Sequence, residues 1–220
     1  MRRIVVLRPE PAASETLAGA RALGLDGVAI PLFTVGPVDW EVPDPKAFDG
    51  LLLTSANAVR HAGAGLLRLN GLPAYTVGPA TAAAAREANL EVAAVGDAGV
   101  EALLASIAPD LRLLHLAGEV RKDAGRTPQE ITPVVVYRSK LVEAPSLSAL
   151  DGNVALIHSP RAGQRLAELA SNRASVAIAA ISPAAASACG SGWGAIEAAE
   201  RPSDDALLAL AARLCNKPEP

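Results

Sequence analysis

Short apolar, largely β-branched runs recur along the chain at Ile4–Leu7, Val28–Phe33, Leu51–Thr54, Ala74–Val77, Val92–Val95, Leu111–Leu116, Pro133–Tyr137, Val154–His158, Val176–Ile181 and Ala195–Ala198. Most are separated by stretches whose apolar positions fall at helical spacing, such as Leu103, Leu104 and Ile107, or Leu166, Leu169 and Ala170. Strands apolar on both faces and separated by helices predict parallel sheet covered on both sides. Ten such strands exceed one small sheet, so the pattern predicts an α/β chain with two parallel sheets of five strands. Thr34–Ala47, with Gly36, Pro37, Pro43 and Pro45, breaks the alternation. So does the polar Arg138–Asp151, and both segments read as connections.

The alternation also repeats. Leu51–Ala58 parallels Ala155–Ala162, Val77–Pro79 parallels Ile181–Pro183, and Ala102–Ala105 parallels Ala206–Ala209, each at an offset of 104 residues. One offset over three blocks marks an internal duplication. A looser repeat links Ile4–Phe33 to Leu113–Tyr137, each a strand, a connection and a strand.

Composition narrows the function classes. With 220 residues, half of them hydrophobic, the chain can bury two small cores. A net charge of −3 with scattered Lys and Arg argues against a nucleic-acid surface. No apolar run reaches membrane-helix length, and the N-terminal run is too short for a signal peptide, so a cytoplasmic protein is expected. Cys189 and Cys215 lie far apart, and His61, His115 and His158 lack metal-ligand spacing, so no metal site is expected.

Chemistry concentrates at six strand-end corners: Leu7-Arg8-Pro9, Thr54-Ser55-Ala56-Asn57, Val77-Gly78-Pro79-Ala80-Thr81, Leu116-Ala117-Gly118-Glu119, His158-Ser159-Pro160-Arg161 and Ile181-Ser182-Pro183-Ala184. Each is read as leaving a strand and entering a helix. Helix starts carry unpaired N–H groups and bind anions, and parallel sheets bind ligands beyond their carboxyl ends. Ser, Thr and Pro also start helices whatever the function, so one corner alone decides nothing. Six together point to an extended polyanion, with Arg8, Arg121 and Arg161 placing local positive charge. Gly190-Ser191-Gly192-Trp193-Gly194 follows a helical stretch and precedes a strand, the wrong order for a phosphate loop, and reads as a helix end. Tyr137 closes a strand before a connection. It reads either as a half-buried strand aromatic or as the best-placed proton donor at the domain junction.

These corners, together with Val135-Val136-Tyr137-Arg138, resemble the uroporphyrinogen-III synthase family, in the family's order over nearly the whole chain. The resemblance implies two flavodoxin-like domains joined by a two-stranded linker, with the active site in the cleft between them. It implies a discontinuous first domain of residues 1–35 and 150–220, a second of residues 47–137, and linkers at 36–46 and 138–149. The implied reaction is dehydrative cyclisation of hydroxymethylbilane, a linear tetrapyrrole with eight carboxylates, to uroporphyrinogen III with ring D inverted. It implies no cofactor, a monomer, and a possible hand-over of substrate from hydroxymethylbilane synthase. Carried onto this chain, it gives Tyr137 as the acid assisting water loss. Arg8, Ser55, Asn57, Thr81, Gly118, Arg121, Ser159, Arg161 and Ser182 become substrate-binding residues.

The chain departs from the family at Ser182-Pro183-Ala184-Ala185, where the hydroxyl after the proline is missing. It departs again between Gly118 and Val134, where a shortened helix interrupted by Pro128 and Pro133 is expected. A non-catalytic module that binds a tetrapyrrole or another anion is the alternative.

Overall fold

The computed structural model describes residues 2–120 and 125–216. The chain opens with β1 (Ile4–Val6), α1 (Ala12–Ala22), β2 (Gly27–Ala29) and β3 (Phe33–Pro37). Its middle adds β4 (Gly50–Leu53), α2 (Ala56–His61), β5 (Ala74–Val77), α3 (Pro79–Glu87), β6 (Val92–Gly96), α4 (Val100–Ala105), β7 (Arg112–Gly118) and β8 (Glu130–Leu141). The last part supplies β9 (Val154–Ile157), α5 (Pro160–Leu169), β10 (Ala177–Ala180), α6 (Pro183–Ala188), β11 (Ala195–Ala198) and α7 (Asp204–Asn216). Contacts divide the chain into two compact units, Met1–Thr34 with Lys140–Pro220, and Val35–Ser139.

The first unit holds a five-stranded sheet in the order β11-β10-β9-β1-β2, parallel throughout. Successive residues of β1 and β9 feed opposite cores, which is why both runs are apolar without a break. Ile4, Val6, Val154 and Leu156 meet α1 and α7 through Ala13, Ala20, Leu207 and Leu210. Val5, Leu7, Ala155 and Ile157 meet α5 and α6 through Ala162, Leu166 and Ala185. Both faces are dry, as parallel sheet requires.

The second sheet has six strands, in the order β3-β8-β7-β4-β5-β6, where five were expected. The extra strand is β3. Hydrogen bonds from Val38 N to Val136 O and from Val142 N to Leu32 O run it antiparallel to β8. Glycine and proline hid it in the sequence, but an edge strand tolerates Pro37 at its end. The long run expected at Val28–Phe33 is likewise broken at Pro31, which has no N–H for a ladder. The expected linkers at 36–46 and 138–149 are therefore partly strand, since β3 reaches Pro37 and β8 reaches Leu141.

Setting β3 aside, the second sheet reads β6-β5-β4-β7-β8 against β11-β10-β9-β1-β2 in the first. Matching them position by position pairs β4 with β9, β5 with β10 and β6 with β11, as the 104-residue offset does. The looser repeat supplies the rest, β7 with β1 and β8 with β2. One unit is a circular permutation of the other.

Where α1 joins β1 to β2, no helix occurs among the described residues between β7 and β8. The helix expected to start after the corner at Gly118 falls on residues 121–124, outside the described residues. One face of this sheet carries α4, with Leu52, Leu103, Leu104 and Leu113 as a small core. Gln129, 5% exposed, closes this face by donating Nε2 hydrogen bonds to Leu104 O (2.8 Å) and Ala108 O (3.0 Å). Leu104 O is one of the carbonyls that the end of α4 leaves without a partner, and Ala108 O belongs to the segment that follows it.

Candidate active site

In the second unit the carboxyl end of the sheet carries Thr54, Ser55, Gly118 and Tyr137. The chain turns one way from β4 and the other way from β7, so the gap between them is a switch point, where open α/β sheets bind ligands. Thr54 Oγ1 and His115 Nε2 lie 3.1 Å apart across that gap. Ser55 caps α2, its Oγ accepting from Asn57 N at 3.2 Å. Asn57 is half-buried, whereas Thr81, inside the first turn of α3, is only 5% exposed.

Tyr137 owes its place to a register shift. Ala117 pairs Val135, but Gly118 pairs Tyr137, so Val136 is an extra residue on β8. A regular strand sends consecutive side chains to opposite faces. Past this bulge Val136 and Tyr137 both pack on the core formed by Leu53, Leu114 and Leu116. The ring then lies over Gly118: a Cβ there would stand 2.7 Å from Tyr137 Cζ and 2.9 Å from its hydroxyl. His61, at the end of α2, flanks the same ring with centroids 6.3 Å apart and planes tilted by 34°. Burial holds the His61 pKa below its usual value, and the neighbouring Arg60 charge adds to the effect.

In the first unit the corresponding switch point lies between β1 and β9. Ser159 and Ser182 cap α5 and α6, accepting from Ala162 N (3.2 Å) and Ala185 N (3.3 Å). A capping hydroxyl uses lone pairs and keeps its proton to donate. Arg161 stacks over Phe33, its Cζ 4.3 Å from the ring centroid. Arg8 is drawn into a cluster with Thr16, His158 and Asp204. Its Nη1 donates to Asp204 Oδ1 (3.1 Å) and Thr16 Oγ1 (3.3 Å). Thr16 Oγ1 donates to Asp204 Oδ2 at 2.7 Å, and His158 Nε2 lies 2.9 Å from Asp204 Oδ1. A carboxylate only accepts, so Nε2 carries the proton, and the buried Nδ1 has no partner among the described residues. Arg121 lies outside the described residues.

The family model for uroporphyrinogen-III synthase HemD matches residues 14–209. The chain belongs to that family. Family membership makes it a lyase-type cyclase of tetrapyrrole biosynthesis. Among solved structures, a uroporphyrinogen-III synthetase from Helicobacter pylori is 21% identical with a TM-score of 0.67, covering 97% of this chain and 100% of its own. A mutant uroporphyrinogen III synthase from Thermus thermophilus is 20% identical with a TM-score of 0.53, covering 98% and 100%. At these identities the likeness speaks for the fold. No curated protein matches the sequence.

The sequence reading missed three side chains. His61 lacks metal-ligand spacing, yet it flanks Tyr137. Thr16 sits in an alanine-rich helix that reads as plain packing. Asp204 looks like an ordinary acidic helix start. None has a local signal, since each makes a contact with a residue far away in sequence: His61 with Tyr137, and Thr16 with Asp204. Gly190 and Gly192, at φ 68° and 91°, follow α6 as a helix end, and Trp193 Nε1 donates back to Cys189 O at 2.9 Å. Among the described residues no helix is long and apolar enough to cross a membrane, and no three His, Cys, Asp or Glu group as a metal site would.

Two outcomes follow from this geometry. Burial pushes the His158 pKa down, and the hydrogen bond to Asp204 offsets this only in part. Below about 6.5, the ordinary histidine value, the unfolded chain then binds a proton the folded one refuses. Stability should fall as pH drops below that value, until the folded pKa is passed. Thermal unfolding between about pH 7.5 and 5 should show the slope. His61 contributes in the same sense, and His158→Gln should remove only the His158 share. Separately, Arg161→Ala should weaken binding of the linear tetrapyrrole by about 1–3 kcal/mol, the scale of a charged hydrogen bond. Its melting temperature should shift little, because Arg161 is exposed. Titration calorimetry and a thermal melt check both parts.

Proposed function

We propose that this chain closes hydroxymethylbilane to uroporphyrinogen III with Tyr137 as the hydrogen-bond donor to the leaving hydroxyl. The observation that carries the reading is the phenol held over Gly118 at the carboxyl end of β7. The carbon–oxygen bond on ring A breaks, the hydroxyl departs with a proton as water, and the pyrrole nitrogen supplies the electrons. An azafulvene results. Ring D attacks it through its substituted carbon, and the spiro intermediate breaks and recloses with ring D inverted. Closure without inversion proceeds unaided, so the protein must fix the conformation of the chain. Positioning and oriented donors therefore supply most of the effect.

The same reading takes Ser55, Asn57, Thr81 and Gly118 in one unit, and Arg8, Ser159, Arg161 and Ser182 in the other, as carboxylate-binding positions, with Arg121 added from the family likeness. Hydroxyl protons left over from capping, an arginine stacked on Phe33 and backbone N–H groups are donors of the kind eight carboxylates require. Thr81 enters through its backbone position, since its side chain is largely buried. Each unit is read as a flavodoxin-like domain, 1–35 with 150–220 and 47–137, and the order β11-β10-β9-β1-β2 supports this. The protein is read as a cytoplasmic monomer receiving its substrate from hydroxymethylbilane synthase. Two buried, unpaired cysteines, with the Cys189 thiol pushed up to about 11 by burial, suit a reducing compartment.

Incubation with hydroxymethylbilane, followed by chromatographic separation of the type I and type III products, tests the proposal. Type III product in excess of the uncatalysed type I supports it. Binding without type III product would make the chain a tetrapyrrole-binding module instead.

A further inference from the structure

The cluster around Arg8 joins four elements by side-chain hydrogen bonds at the switch point of the first sheet. Arg8 follows β1, Thr16 is fully buried in α1, His158 follows β9 with a side chain 7% exposed, and Asp204 begins α7. Asp204 is its centre. Its Oδ1 takes Arg8 and His158, and its Oδ2 takes Thr16. Ser203 fixes the start of α7 by accepting from Ala206 N at 3.3 Å, so the carboxylate is held from both sides.

The way Arg8 is held matters more than that it is held. A guanidinium presents five N–H donors in a planar fork, and its best grip on a carboxylate uses two parallel bonds. Among the described residues only Nη1 of Arg8 has partners. The Nε and Nη2 edge is not among the buried atoms lacking a partner, and the side chain is 30% exposed. The protein therefore uses the end of the fork to fix the plane and leaves the side edge to solvent. A surface salt bridge would leave the arginine free to swing, whereas two partners, one buried and one half-buried and itself tied to His158, do not.

We propose that Thr16, His158 and Asp204 are positioning residues that orient Arg8 so that its Nε–Nη2 edge receives one carboxylate of the substrate. This rests on the reading of an octacarboxylate substrate given above. Thr16 has one proton and gives it to Asp204, while its lone pair takes the Arg8 N–H, so the hydroxyl locks both groups at once. His158 holds the second lone-pair region of Oδ1. With that ring neutral, the cluster carries one positive and one negative charge, and the incoming carboxylate meets the arginine side of it.

Steady-state kinetics with hydroxymethylbilane, on the full chain, tests this through KM and kcat separately. Arg8→Gln should raise KM about 10–100-fold, the loss of a charged pair of hydrogen bonds. Thr16→Val is nearly isosteric and should raise KM about 3–10-fold with the loss falling on KM. Thr16→Ser keeps the hydroxyl and should restore it. Asp204→Asn should raise KM by at least as much as Thr16→Val. If Thr16→Val and Asp204→Asn lower the melting temperature and leave KM unchanged, the cluster is a structural tie and the proposal is wrong. If Arg8→Gln leaves KM unchanged, Arg8 does not bind the substrate. Wild-type protein that makes no type III product would instead overturn the underlying reading, and that outcome is scored before any variant is made.

Discussion

Gly118→Ala is expected to lower turnover of hydroxymethylbilane by about 100-fold. The added methyl would stand 2.7 Å from Tyr137 Cζ and 3.0 Å from Cε2, closer than carbon atoms approach, so the ring must move. A shift of about 1 Å in a positioned group can cost about two orders of magnitude. The backbone at Gly118 is not in the left-handed region, so any residue could adopt it and the penalty is steric. Overpacking of this kind costs about 1–3 kcal/mol, which should leave the protein folded but less stable. The check is a double-mutant cycle. If the methyl acts through Tyr137, then Gly118→Ala in a Tyr137→Phe background should lower turnover much less than it does in the wild type. Full additivity would separate Gly118 from the phenol.

Tyr137→Phe should reduce turnover about 10–100-fold while the product remains type III. Phe keeps the ring that packs on Leu53, Leu114 and Leu116, so the fold should lose at most ~1–2 kcal/mol. A phenol O–H can donate a hydrogen bond to the departing oxygen. Assistance by a positioned acid is commonly worth 10²–10⁴-fold, but this substrate expels its own hydroxyl with help from the pyrrole nitrogen, so the low end applies. Rapid-quench measurement of turnover with product separation reads both quantities. Unchanged turnover would take the hydroxyl out of the mechanism. A change to type I product would mean that it positions ring D.

Strands were legible because both faces of each sheet are covered. Val154–Ile157, apolar at every position, lies wholly within the run expected at Val154–His158, and Ala74–Val77 and Ala195–Ala198 match the structure residue for residue. The edge strand β3 was not legible, because an edge tolerates the glycine and proline that elsewhere mark a loop. The second role of Gly118 was not legible either: a glycine after an apolar run reads as a turn, and nothing local shows that it also makes room for an aromatic ring. Of the candidate site, Ser55, Ser159 and Ser182 were found at helix starts, as their side chains predict. Their partners across the sheet were not, because a contact such as Arg8 with Asp204 joins segments that no local window contains.

The permuted relation between the units sets the order in which they can be completed during synthesis. Every strand of the parallel part of the second sheet lies in one continuous stretch, and its central pairing, Leu52 with His115, closes within it. In the first sheet Ile4 must wait for Val154, so β1, α1 and β2 leave the ribosome long before β9 exists to cover them. Contacts between distant segments slow folding, and a waiting amphipathic fragment is the species most open to aggregation. The second unit should therefore acquire protease resistance first on a nascent chain. The first should do so only after α7, which carries Leu207, Leu210 and Leu214 into its core, has emerged.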